Sequence, residues 1–239
     1  MKKALILLAS LGAMIPVYGK IKPRGFDNTV DIASDGLSSA DGNGYARNVS
    51  FSDDGRYMVF ESRSSNLVSG DNNGVSDIFL YDSQSDTTTR ISVDSSENEA
   101  NGSSFDPVIS GDGSYVAFVS MATDLVGSDT NNEIDVFLRD ISGGTTIRVS
   151  VGPSAAQSNG PSDFPSISDD GDRIGFRSSA TNLIASDTNS KVDMFFYDVS
   201  AATTTIVSVS SAEALGDDDA VDGVISGNGS YFAFTSKAT

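Results

Sequence analysis

The sequence contains no cysteine and no histidine. Without thiols there can be no disulfide and no thiolate nucleophile. Without imidazole there is no Ser-His-Asp triad and no His-ligated metal. Basic residues are scarce, with 15 Lys and Arg against 33 Asp and Glu, for a net charge of −18. A surface of that sign repels nucleic-acid phosphates and anionic membranes and favours cations, so no nucleic-acid partner is expected. Amphipathic helical patterns are also missing. Gly, Ser, Thr, Asp and Asn are abundant instead, which suits short strands joined by turns.

Only one long apolar run occurs, and it sits at the N-terminus. Lys2 and Lys3 precede an apolar segment, 4–17, and Val17-Tyr18-Gly19 places small residues where a signal peptidase would cut before Lys20. Residues 1–19 are therefore read as a signal peptide, with no lipoprotein cysteine after it. Export to the periplasm or the medium is expected, with no membrane insertion once the leader is removed. Residues 20–28 read as a loose lead-in.

The rest of the chain repeats. Gly55, Gly113, Gly171 and Gly229 are spaced at 58-residue intervals, and Phe60, Phe118, Phe176 and Phe234 follow in the same register. Fixed-period self-similarity indicates one repeat array rather than two unrelated domains. The units run over about 47–104, 105–162 and 163–220, with a partial unit at 221–239. Residues 29–46 match the last strand and loop of a unit.

Each full unit carries four strand signals. In the third, residues 165–168 form a first strand, and Ser168-Asp169-Asp170-Gly171 is a tight turn with glycine where φ is positive. Residues 173–178 form the second strand, 192–198 the third and 205–209 the fourth. Along the second strands, Met58, Val116, Ile174 and Phe232 share a face with the repeated phenylalanines. The other face holds the smaller Val59, Ala117, Gly175 and Ala233. A sheet apolar on both faces is buried on both. The expected fold is all-β: a β-propeller of four-stranded antiparallel blades. A β-helix has shorter coils, and an immunoglobulin-like sandwich would not repeat at this interval.

The pattern P-x-I-S-x-D-G-x-x-I-x-F-x-S from Pro165, followed by A-T-N-L-I, D-T-N, V-D-x-F and Y-D, resembles the TolB-type (WD40-like) propeller repeat of exported bacterial proteins. The resemblance covers residues 29–239 and implies a fold, since such repeats serve many roles. The repeat is longer than that of TolB, and no α/β domain precedes it. The fourth unit has two of its strands at Thr239, so we expect either part of a larger propeller or a short open array that dimerises through its edge.

The loop between second and third strands is the candidate site. It reads Asp71-Asn-Asn-Gly-Val-Ser-Asp77, Asp129-Thr-Asn-Asn-Glu-Ile-Asp135 and Asp187-Thr-Asn-Ser-Lys-Val-Asp193. Two readings stay open. In one, Asp71, Asn73, Asp77, Asp129, Asn131, Asp135, Asp187, Asn189 and Asp193 offer oxygen ligands to calcium at loop positions 1, 3 and 7. In the other, these side chains cap the turn and pin the loop to the third strand. Lys191 at position 5 ranks the third loop last as a calcium site. Asp82, Asp140 and Asp198 stand at position 12 but cannot join the ion, because a strand of roughly 16 Å at about 3.3 Å per residue intervenes. The Gly-Asp-Gly and Gly-Asn-Gly turns read as hairpins rather than phosphate cradles. The acidic run of Asp217, Asp218, Asp219 and Asp222 reads as a solvated loop, and Arg90 and Arg148 as blade-surface residues.

Every candidate acid recurs at the repeat interval, which poorly suits chemistry needing one singular carboxylate pair. The expected function is a noncatalytic exported scaffold binding a protein or carbohydrate at its acidic loop face. The alternatives are a fragment of a propeller-containing enzyme acting on polysaccharide or peptide, and a calcium-stabilised structural surface protein.

Overall fold

The computed structural model describes residues 42–239. The leader, the lead-in and residues 29–41 lie outside the described residues. The described chain folds into meandering antiparallel sheets at the expected interval. The first holds β1 (Ala46–Phe51), β2 (Tyr57–Ser62), β3 (Asp77–Asp82) and β4 (Thr87–Arg90). The second holds β5 (Ser104–Ile109), β6 (Tyr115–Ser120), β7 (Asp135–Asp140) and β8 (Thr145–Arg148). A small ribbon of β9 (Val151–Gly152) and β10 (Ala156–Gln157) flanks a 3-10 turn at Pro153–Ala155. The third sheet holds β11 (Ser162–Ile167), β12 (Arg173–Ser178), β13 (Asp193–Asp198) and β14 (Thr203–Ile206). β15 (Ala220–Ile225) pairs with β16 (Phe232–Ser236) to make a two-stranded fourth sheet. In each four-stranded sheet the spatial order matches the sequence order.

Three strands of the third sheet differ in their bounds from those read in the sequence, the third by one residue, since it begins at Asp193 rather than 192. The first strand of the third sheet begins at Ser162 rather than at 165, because it continues through a bulge between Asp163 and Ser166. Phe164 sits there at φ 52°, as do Asn48 at 54° and Asp106 at 51° in the preceding sheets. A bulge breaks the two-residue alternation on which strand recognition rests. The fourth strand runs over Thr203–Ile206 rather than 205–209, since Thr203 pairs with Asp198 and Ile206 with Phe195. The second strand, Arg173–Ser178, is as read.

The sheets stack face to face as propeller blades. Val59, Ile78 and Leu80 of the first meet Val116, Phe118 and Phe137 of the second. Ala117, Val119, Val136 and Leu138 then meet Ile174, Phe176, Phe195 and Tyr197 of the third. Within each blade two phenylalanines stack, with centroids 5.8 to 5.9 Å apart. Across the seams, residue sizes complement one another: Val59 shares a cluster with Val116, and Ala117 with Ile174. At the third seam the Phe232 ring lies directly over Gly175.

Hydrogen bonds join neighbouring blades as well. The amides of Asp53, Asp112 and Asp169 donate to the carbonyls of Gly111, Asp169 and Gly227, at 2.8, 2.9 and 2.6 Å. First strands lie side by side, β1 on β5, β5 on β11 and β11 on β15, and so form the inner ring. Among the described residues no third strand lies beside Phe234 of the fourth sheet, which is 36% exposed, whereas Phe118 and Phe176 are fully buried.

A Cβ at Gly175 would collide with the Phe232 ring. We predict that Gly175→Val destabilises the fold by about 1–3 kcal/mol through overpacking. Adding Phe232→Val should restore most of the loss, as read by urea unfolding of both variants.

Candidate functional site

The candidate loops, 63–76, 121–134 and 179–192, emerge at the same end of the blades as the segments that leave the fourth strands. The position-3 asparagine ties the two together. Asn73 donates through Nδ2 to the Ala100 carbonyl at 3.0 Å, Asn131 to that of Ser158 at 3.2 Å and Asn189 to that of Gly216 at 3.1 Å. The Oδ1 atoms of these asparagines accept the amides of Val75, Glu133 and Lys191, closing an Asx turn in each loop. The asparagines are thus committed to holding the loop.

Position 7 opens the third strand, and its carboxylate is buried in each blade: Asp77, Asp135 and Asp193 are at most 1% exposed. A serine just after the fourth strand serves each of them. Ser92, Ser150 and Ser208 donate Oγ–H to Asp77, Asp135 and Asp193 at 2.5, 2.5 and 2.6 Å. The same hydroxyls accept the amides of Ile78, Val136 and Met194. Committed on both sides, these serines are fasteners rather than nucleophiles. Their recurrence at the 58-residue interval was the available signal, but serine is too common here for it to stand out.

Position 1 is where the three loops diverge. In the second loop Arg148 reaches between Asp129 and Asp135, with Nη1 2.9 Å from Asp129 Oδ1 and 3.1 Å from Asp135 Oδ2. In the first loop Arg90 Nη1 lies 2.5 Å from Glu99 and 3.8 Å from Asp71. Asp71, Asp77 and Glu99 each bring a carboxylate oxygen within 4.8 Å of the others. Both arginine side chains are at least nine-tenths buried, so they are not the blade-surface residues the sequence suggested. They end the fourth strands opposite Phe79 and Phe137, which directs them into the loop.

In the third loop the arginine position is Ile206, which pairs with Phe195. Lys191 does not replace the missing charge, because its Nζ pairs with Asp218 at 3.7 Å. Asp187 Oδ1, Asp187 Oδ2 and Asp193 Oδ2 are left buried with no hydrogen bond. The Asn189 amide lies close enough to Asp187 to favour its charged form slightly, but outside hydrogen-bonding geometry. Burial, reinforced by the neighbouring Asp193 charge, raises the Asp187 pKa. Burial also raises that of Asp71, Asp77 and Asp129, and at Asp129 the Arg148 charge opposes it.

The position-12 carboxylates lie at the far end of the third strands. Asp82 there takes a two-pronged bond from Arg56, at 2.9 and 2.7 Å, and Asp198 pairs with Arg173 at 2.6 Å. The glycine turns are hairpins, with Gly113 and Gly229 at φ 76° and 67°. In the acidic run, Asp217 accepts from the Thr239 amide, Asp219 from the Val192 amide and Asp222 from the Thr235 hydroxyl. One buried acid gave no signal in the sequence because it does not recur. Glu61, fully buried, accepts from Arg47, Asn48 and Ser76.

Four-stranded sheets stacked face to face at a fixed interval around an inner ring of first strands make this a β-propeller repeat protein. No protein-family model matches the sequence, and no curated protein matches it. Among solved structures it is similar to TolB from Acinetobacter baumannii, at 17% identity and a TM-score of 0.49, over 87% of this chain and 43% of that one. It is also similar to a prolyl endopeptidase structure, at 12% identity and a TM-score of 0.50, over 81% of this chain and 26% of that one. The β-propeller domain of the Trilobed protease from Pyrococcus furiosus matches at 11% identity and a TM-score of 0.44, over 68% of this chain and 41% of that one. The chain therefore spans less than half the length of these proteins, and the likeness is one of fold.

Removing the guanidinium between Asp129 and Asp135 would leave two buried charges without their cation. Arg148→Met is predicted to cost about 3–5 kcal/mol. The more exposed Arg56→Met pair disruption should cost far less. Chemical denaturation of the two variants side by side checks the difference.

Proposed function

We propose that the protein is an exported, noncatalytic β-propeller that acts as a binding scaffold through its loop-bearing face. The observation that carries this reading is the commitment of the repeated polar groups. The loop asparagines, the serines and the carboxylates of Asp77, Asp129 and Asp135 are spent on holding the loops rather than poised around a reacting atom. What the loops offer outward is acidic and amide-rich: Asp124 and Asp217 are exposed there. Such a face suits a basic protein surface or a carbohydrate, with charge setting the encounter rate more than the affinity. Export rests on the leader at residues 1–19, and no helix among the described residues is long and apolar enough to cross a membrane.

Arrays of basic peptides and of neutral oligosaccharides, probed with the mature chain, test the reading. We expect at least one class to bind. Neutralising Asp124 and Asp217 together should weaken peptide binding several-fold and flatten its salt dependence, while Asp54→Asn at the opposite end should leave it unchanged. Peptide or glycoside turnover abolished by changing a nonrepeated acid, Glu61 first, would replace the scaffold with an enzyme.

A further inference from the structure

The three loops place the same two carboxylates in the same frame, yet an arginine stands beside them in only two. In the second blade the balancing cation is visible: the Arg148 guanidinium bridges Asp129 Oδ1 and Asp135 Oδ2. In the third blade the equivalent residues, Asp187 and Asp193, are 7% and 1% exposed. Three of their four carboxylate oxygens receive no hydrogen bond. Ile206 stands where the arginine would be, and Lys191 is turned toward Asp218. Two buried carboxylates side by side without a counter-charge are strongly disfavoured, so the frame lacks a component that this part of the chain does not supply.

We propose that Asp187 and Asp193 bind a divalent cation, calcium by the chemistry of the donors, in the place that an arginine fills in the neighbouring blade. The donors are carboxylate oxygens alone, with no nitrogen or sulfur in the set, which selects a hard cation. Calcium tolerates irregular geometry and completes its shell with water. Magnesium demands a near-ideal octahedron that two carboxylates from one short loop do not impose. Asp187 itself keeps 7% exposure and is flanked in the loop by the exposed Thr188 and Ser190, the side from which water would complete the shell. Lys191, which by its place in the sequence counts against this loop, is 3.7 Å from Asp218 and leaves the site open. The third loop is therefore the cation site: in the second Arg148 bridges both carboxylates, and in the first Arg90 stands among Asp71, Asp77 and Glu99, 3.8 Å from an Asp71 Oδ1 that receives no hydrogen bond. This goes beyond the scaffold reading and would hold whatever the loop face binds.

The test uses the whole mature chain after chelator treatment, with calcium itself as the probe. A site with two protein carboxylates falls in the range of ~10⁻⁴–10⁻³ M typical of extracellular modules. At about 10 mM calcium, up to a hundredfold above such a constant, the melting temperature should rise by roughly 6 °C. Titration calorimetry should give one equivalent of calcium. Asp187→Asn should abolish both signals and, in chelator, melt above the parent because an unpaired charge is gone. Ile206→Arg should supply the cation from within, melting near the calcium-loaded parent with or without the metal. Absence of a calcium-dependent shift and of binding heat in the parent would overturn the proposal. So would a calcium response that survives undiminished in Asp187→Asn, which would place the ion elsewhere.

Discussion

Each blade of this protein is apolar on both faces, and the fold depends on how one face meets the next. The phenylalanine face of a blade presents two stacked rings. The blade before it must offer a surface smooth enough for those rings to approach. Val59, Ala117 and Gly175 occupy the same strand position and shrink in that order. Val116, Ile174 and Phe232, which they face, grow in the same order. Interiors are packed at crystal-like density, so volume lost on one side of a seam must be returned on the other. The glycine at 175 is in a strand interior, where glycine is ordinarily a weakness. It is explained by the ring that covers it.

This seam also positions the polar site. Third strands are held by their phenylalanines, and the residue that opens each of them, Asp77, Asp135 or Asp193, is carried into a dry position at the blade's end. A carboxylate there needs hydrogen bonds and a counter-charge, and the chain supplies both from the fourth strand. The serine two residues past the arginine position donates to the carboxylate and accepts the next backbone amide. In the second blade Arg148 then pairs with it, and in the first Arg90 stands beside Asp71 and Glu99. Buried ion pairs of this kind add little net stability compared with an apolar replacement, but losing one partner is severe. An isoleucine, Ile206, where the other two blades carry arginine is therefore a difference with an electrostatic consequence. It transfers the balancing of two charges to whatever else can reach them.

Much of the fold was legible because the repeat aligned residues that share a physical role. The glycine of the hairpin, the paired phenylalanines and the small opposing residues all recur at one interval. The boundaries of β12 follow from them directly. The bulge in the first strands was not legible, because Asn48, Asp106 and Phe164 have nothing chemical in common and adopt positive φ only under tertiary constraint. The site was legible in part. Asp and Asn at loop positions 1, 3 and 7 were found as a set, but their roles separate in space. The asparagines close Asx turns, the position-7 aspartates join the serine, and position 1 meets the arginine. Arg148 lies 19 residues from Asp129 in sequence, and only the antiparallel pairing of β7 with β8 brings it back.

The ranking of the three loops shows why local charge counting misleads in a sheet protein. Lys191 lies inside the third loop, four residues from Asp187, and by proximity in sequence it should neutralise that carboxylate. Backbone geometry sends it elsewhere: the Lys191 amide closes the Asx turn on Asn189, and its side chain reaches Asp218 in the neighbouring loop. The residue that decides the electrostatics of the loop is instead Ile206, an apolar side chain on another strand. In the first two blades that position supplies a charge, and in the third it supplies none. The field at a buried carboxylate is set by the residues that cross-strand pairing delivers to it, and a strand's register therefore determines the chemistry of a loop it does not belong to.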